Sequence, residues 1–173
     1  YSLRVKKGEK VVISGETEAQ DFISALYKEI ILKGAHPILR VNLPGLNAFF
    51  YKYAIKEQIE KFPDYWDYMV KNAQKYISIS TESNTKELTS ADSKKITARK
   101  KVTRPIINYI VNEKSKIRRS TVGFPCMALA QEAEMDLVEY ENFVYSACLQ
   151  DWKKIGKKID KILAKFKKGK NVW

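Results

Sequence analysis

The sequence has one histidine and two cysteines among 173 residues, and none of the spacings that turn such residues into metal or redox centres. There is no HExxH and no CxxC, and no Cys or His stands at ligand distance from another. A zinc site made from this chain alone would have to combine His36, Cys126, Cys148 and scattered carboxylates, so no metal site is expected within it. Scarcity also argues against a Cys–His nucleophile, because Cys126 and His36 carry no flanking signature. His36, set between Gly34 and an apolar stretch, reads as a structural residue. The two cysteines read as reduced, buried thiols of a cytoplasmic protein, with a disulfide between them as the alternative.

Long apolar runs are missing too. The candidates are interrupted by Lys28, Glu29, Lys52 and Lys56, which excludes a membrane span, and no membrane partner is expected. The opening YSLRVKKGEKVV is basic but lacks the apolar core and cleavage site of a secretion signal. Neither Gly8 nor Gly15 belongs to GxGxxG or GxxxxGK[ST]. Only the Gly15 to Thr17 turn offers backbone donors to an anion. The carboxylate pairs Glu132/Glu134 and Glu139/Glu141 read as solvated helix faces.

The least expected absence is of positive charge. Ser120 to Trp152 contains no Lys or Arg, although the chain carries 32 of them and a net charge of +12. The acids of that stretch are Glu132, Glu134, Asp136, Glu139, Glu141 and Asp151, so it stands at −6. Lys94 to Arg119 before it carries ten bases against Glu113, or +9, and Lys153 to Trp173 after it carries nine lysines against Asp160, or +8. Sorted charge of this kind suits contacts within a larger protein or dimer. The basic blocks, with Lys100, Lys101, Arg104, Arg118 and Arg119 in one region, also fit a phosphate backbone, so a basic α/β nucleic-acid-binding module is the alternative reading.

What is present is a regular alternation of elements. Lys10–Ser14 is a short apolar run suited to a strand buried on both faces. Glu16–Lys33 has apolar residues at helical spacing and Gly34 as its stop. His36–Leu43 is a second strand, with Pro37 where a missing donor does least harm. A helix is predicted over Leu46–Lys61, a short one after Asp64, and a third strand over Lys75–Thr81. A long basic helix with an irregularity at Pro105 is predicted over Glu87–Lys116, followed by a strand over Arg119–Phe124. Cys126–Ala133 forms a short helix. Asp136 caps a longer one, paired with Glu139, whose inner face uses Leu137, Tyr140, Val144, Ala147 and Cys148. From Trp152, an apolar stripe of Ile155, Ile159, Ile162, Leu163 and Phe166 opposes lysines up to Gly169.

The fold class is therefore α/β: a mainly parallel sheet of about four strands, order 2-1-3-4, with helices on both faces and a C-terminal helical segment. Residues 1–152 form the α/β domain and 153–173 the amphipathic basic helix. The final KKGKNVW repeats the pattern of KKGEKVV at Lys6 to Val12, so a further strand is expected to open there and the chain reads as a piece of a longer protein.

The lysine-free block also carries a resemblance. Pro125, Ala130, Gln131, Glu132, Ala133, Met135, Leu137, Glu139, Tyr140, Glu141, Phe143, Val144, Tyr145, Ala147, Cys148, Leu149, Asp151 and Trp152 fall in a pattern P-x4-A-Q-E-A-x-M-[SD]-L-x-E-Y-E-x-F-V-[YF]-x-A-C-L-x-D-[WY]. It resembles the N-terminal domain of the thermophilic metalloaminopeptidases, the aminopeptidase T and aminopeptidase S family often labelled leucyl aminopeptidase. The opening YSLRVKKGEKVVISGETEA and the turn Gly34-Ala35-His36-Pro37 are similar to the same family. The resemblance implies a cytoplasmic, homodimeric exopeptidase that takes N-terminal residues from peptides, using two divalent metals (zinc, cobalt or magnesium). It also implies that the metal ligands and a catalytic Tyr lie in a C-terminal domain. No catalytic or metal residue is then carried by this chain, which would be inactive alone and have that catalytic domain as its partner. Phe124, Pro125 and Gln131, at the carboxyl end of the last strand, are the candidates for a wall or gate of the peptidase cavity.

Overall fold

The computed structural model describes residues 3–112 and 114–169, and the expected strand opening within 167–173 lies largely outside them. Strand β1 (Lys10–Glu16) runs through a 3-10 turn (Thr17–Ala19) into helix α1 (Gln20–Leu32), and β2 (His36–Asn42) follows. Next come α2 (Leu46–Tyr53), α3 (Lys56–Glu60), α4 (Asp64–Lys71) and β3 (Lys75–Ser80). Helix α5 (Ser93–Val111) leads to β4 (Arg118–Gly123), and α6 (Met127–Glu132), α7 (Leu137–Cys148) and α8 (Trp152–Lys168) end the described chain. All strand pairings are parallel and the order is β2-β1-β3-β4, as the alternation predicts.

The period of two along β1 divides the core. Val11 and Ile13 meet Ile77 and Ile79 of β3 under Ile23 and Ile30 of α1. Val12 faces the other way, against Val70 of α4 and Ile106 and Ile110 of α5. Both faces of the central strands are thus covered, which is why their sequences are continuous apolar runs rather than alternating ones. Gly34 closes α1 at φ +70°, in the left-handed region, where a Cβ would also sit 3.1 Å from Lys7 Cγ. Its carbonyl accepts from the Gly8 N–H at 2.8 Å, tying the first turn of the chain to the second. His36 opens β2 in an exposed position, its N–H bonded to the Glu9 carbonyl at 2.8 Å.

Four expectations change. The helix over 46–61 is two helices, because Ala54 and Ile55 are extended. Side-chain hydrogen bonds meet the backbone groups left open at the ends of these two helices. Lys95 Nζ donates to the Ala54 carbonyl at 2.8 Å, Arg99 donates to the carbonyls of Ile59 and Lys61, and Gln58 Oε1 accepts from the Ile55 N–H at 3.0 Å. The basic helix starts at Ser93 rather than Glu87, where Asp92 accepts from the Lys94 N–H at 2.8 Å. It also runs unbroken through Pro105, because packing at Ile106 and Ile110 outweighs one lost donor. Finally, Cys126 is buried but Cys148 is exposed; both are free thiols, and Ala147 is exposed with Cys148. Leu137, Tyr140 and Val144 are only half-buried, since α7 lies at the periphery and packs mainly on α6.

Candidate functional site at the carboxyl edge of the sheet

Four parallel strands end on one edge, and their connections diverge there: β1 leads to β2 on one side, and β2 crosses back to β3 on the other. Such a switch point opens a crevice beyond the strand ends. Here it holds a cavity of about 230 Å³ lined by Glu16 at the end of β1, Asn47 of α2, and Glu82, Ser83, Asn84, Thr85, Glu87 and Leu88 after β3. A wider cleft of about 860 Å³ lies alongside, sharing Glu87 and bordered by Phe49, Tyr51, Tyr53 and Lys95.

In a chain of net charge +12 this crevice is acidic. Burial pushes the Glu16 carboxyl above its ordinary value, the carboxylates of Glu18, Glu87 and Glu82 add to the rise, and a hydrogen bond with the Ser83 backbone works against it. The Gly15 to Thr17 turn, whose backbone donors could face an anion, is surrounded by the carboxylates of Glu16, Glu18, Glu82 and Glu87, which disfavour one. Gly15 has a packing role instead: a Cβ there would stand 3.1 Å from Ile79 Cβ and 3.4 Å from Ile23 Cδ1.

The β4 end completes the edge. Phe124 is half-buried and stacked on Phe22 of α1, Pro125 is buried, and Gln131 is exposed on α6. Of the three residues selected from sequence, only Gln131 presents its side chain mainly to solvent. Its neighbour Glu132 accepts from Thr85 Oγ1 at 2.7 Å and lies 3.6 Å from Lys86 Nζ. The Cys126 thiol donates to the Glu82 carbonyl at 3.0 Å. The loop after β3 is thus joined to the loop after β4 and to α6 by three side-chain contacts. Glu132 matches the family pattern, but nothing local signals its pairing with Thr85, 47 residues away. The cluster of Glu16, Glu82 and Glu87 was likewise missed, since each alone is an unremarkable surface acid.

Among the described residues, no three His, Cys, Asp or Glu side chains converge where a metal ion could sit. Lys95 and Arg99, part of the basic block, are engaged in closing α2 and α3. Lys100, Lys101 and Arg104 are exposed on α5.

The thermophilic metalloprotease (M29) family profile matches residues 1–172. No curated protein matches the chain. Among solved structures, wild-type AmpT from Thermus thermophilus superposes with a TM-score of 0.66 at 18% sequence identity, over 84% of this chain and 39% of that one. At that identity the likeness concerns the fold. This chain spans well under half of AmpT's length.

Proposed function

The chain belongs to the thermophilic metalloprotease (M29) family, and we propose that it is the non-catalytic N-terminal domain of a metal-dependent aminopeptidase that removes N-terminal amino acids from peptides. The observation that carries this reading is partial coverage. The family match runs nearly end to end here, yet the fold takes up only 39% of AmpT. The described residues do not suit a two-metal centre, since no three candidate ligands meet. Zinc, cobalt or magnesium, two ions per site, would supply water activation and carbonyl polarisation in a C-terminal catalytic domain that is this domain's partner.

In this reading the carboxyl edge of the sheet faces that catalytic domain in a cytoplasmic homodimer. Phe124 and Pro125 stiffen the loop after β4 from behind, and Gln131 stands at its exposed side, where it meets peptide substrate. The joined loops of Thr85 and Glu132 suit a wall that keeps its shape. A second reading, nucleic-acid binding, is favoured by the exposed Lys100, Lys101, Arg104, Arg118 and Arg119.

Peptide hydrolysis tests the proposal. With divalent metal supplied, the natural full-length protein should release N-terminal residues and the 173-residue chain should release none. In the full-length protein, Gln131→Ala should change how kcat/KM varies with peptide length. Unchanged values across lengths would remove the gate role while leaving the domain assignment intact. A salt-sensitive mobility shift with mixed RNA or DNA, without peptidase activity in the longer protein, would replace this reading by the second.

A further inference from the structure

The residues that carry the family pattern lie largely outside the core. Among them only Pro125 and Ala130 are buried, while Phe143 is exposed on α7 and Leu149, just after it, is 80% exposed. Packing within this domain therefore does not explain why these positions are apolar. The same holds for α8, which begins where the pattern ends. Asp151 caps it by accepting from the Lys153 and Lys154 N–H groups, and the Trp152 indole donates to the Cys148 carbonyl at 2.8 Å, so the elbow between α7 and α8 is held at both sides.

At about 100° per residue, Trp152, Ile155, Ile159, Ile162, Leu163 and Phe166 fall within an arc of about 100° along α8. Within this domain Ile159, Ile162 and Phe166 are each left more than half exposed. The rest of the circumference holds eight lysines and a single acid, Asp160. Lys158 and Lys165 border the stripe on the side of Ile162, and among the described residues no ion pair neutralises an α8 lysine. Lys154/Lys158 and Lys161/Lys165 are like-charge pairs four residues apart, which weaken the helix. A lone helix of this length is marginal in water, so its stability has to come from a partner for the apolar face.

We propose that the apolar stripe of α8 is the docking surface for the catalytic domain of the same polypeptide, buried in an apolar groove of that domain whose rim is acidic opposite Lys158 and Lys165. This docking rests on the reading of the chain as an N-terminal domain, and about three-fifths of AmpT lies outside the match that supports it. Continuity selects this occupant over the others. A domain tethered to α8 meets the stripe at an effective concentration of roughly millimolar, which a second copy or a lipid surface has to overcome by affinity alone. A nucleic acid neutralises the lysines but leaves Ile159, Ile162, Leu163 and Phe166 in water. Burial of an aliphatic and aromatic stripe flanked by lysines, whose stems cover apolar surface while their ammonium groups reach the acids at the rim, meets both needs. With Asp151 and Trp152 fixing the elbow, a docked α8 sets the angle at which the catalytic domain meets the carboxyl edge of the sheet.

The test is amide hydrogen exchange of the natural full-length protein without lipid, over a concentration series, alongside its mass by analytical ultracentrifugation and its peptide release. Residues 159–166 should exchange at least about 100-fold more slowly than an unstructured chain at every concentration. Leu163→Ser/Phe166→Ser keeps every charge and should lose about tenfold or more of that protection, while β1 and β3 keep theirs. Lys158→Glu/Lys165→Glu separates a docked helix from a free one. In a free helix it removes two like-charge pairs and raises protection; against an acidic rim it should lower protection about threefold or more at low salt, and less at high salt. Wild-type exchange within about tenfold of an unstructured chain overturns the docking, as does full protection in the Leu163/Phe166 variant or unchanged or raised protection in the lysine variant. Protection that falls on dilution as the mass halves would assign the stripe to a second copy and overturn it equally. Peptide release with an unprotected α8 would sink the docking and keep the peptidase reading, whereas a protected α8 without peptide release would keep a docked helix and remove the catalytic assignment of its partner.

Discussion

The Phe22 ring of α1 stacks on the Phe124 ring just beyond β4, with centroids 5.5 Å apart and planes 18° from parallel. Both rings pack against the core cluster of Ile13, Ile77 and Ile79. The start of the loop after β4 is therefore anchored to the first helix of the chain. A double-mutant cycle of Phe22→Leu and Phe124→Leu, read by urea unfolding, should give a coupling of about 0.5–1.5 kcal/mol. Additive losses would mean that the rings share the core without interacting.

The Arg40 guanidinium lies 4.3 Å from the centre of the Trp66 ring and donates through Nη1 to Ser14 Oγ at 3.1 Å. A planar fork does both at once, whereas a lysine ammonium cannot. Arg40→Lys should therefore cost about 0.5–2 kcal/mol despite keeping the charge, seen as a lower urea midpoint at constant slope. An unchanged midpoint would show that charge alone matters there.

Glu16 makes stability depend on pH. Its folded pKa is raised above the ordinary value of 4.5, by burial first and then by Glu18, Glu87 and Glu82. The folded state thus holds its proton more tightly than the unfolded one. The favourable contribution is complete below pH 4.5 and is lost as pH rises through the folded pKa. Glu16→Gln removes the titrating group, so the variant should gain stability over wild type as pH rises above that window. Parallel stability curves for the two proteins from pH 4 to pH 8 would rule out this origin.

Asp136 caps α7 by accepting from the Glu139 N–H at 2.9 Å. Asp136→Ala should destabilise that helix by about 1 kcal/mol. Because α7 sits at the periphery, the effect should appear as faster hydrogen exchange at its first-turn amides rather than in global unfolding. Faster exchange spread equally over β1 and β3 would instead place α7 in the main cooperative unit.

How much of this was readable in advance differs by element. The four strands, the cap at Asp136 and the stop at Gly34 follow from local signals, whereas the caps at Asp92 and Asp151 emerge only in the structure. The α2–α3 break did not, because Ala54 and Ile55 are ordinary helix residues whose extended conformation is held by Lys95, 41 residues away, and by Gln58. Cys148 was misplaced for a related reason. Helical spacing identifies a stripe but not whether a neighbour covers it. Of the proposed wall, Gln131 came from the family pattern, while the Thr85–Glu132 contact behind it required two loops to meet.

The sequence by itself determined the alternation of strands and helices, the two-sided burial of the central sheet and the family. Those depend on spacing, capping and motifs within a few turns of chain. Only the tertiary structure decided which carboxylates share a crevice and that Cys148 is exposed while Cys126 is buried. Glu16, Glu82 and Glu87 line one crevice because parallel strands deliver all their carboxyl ends to one edge, and the electrostatics of that crevice belong to distances in space that no spacing along the chain encodes.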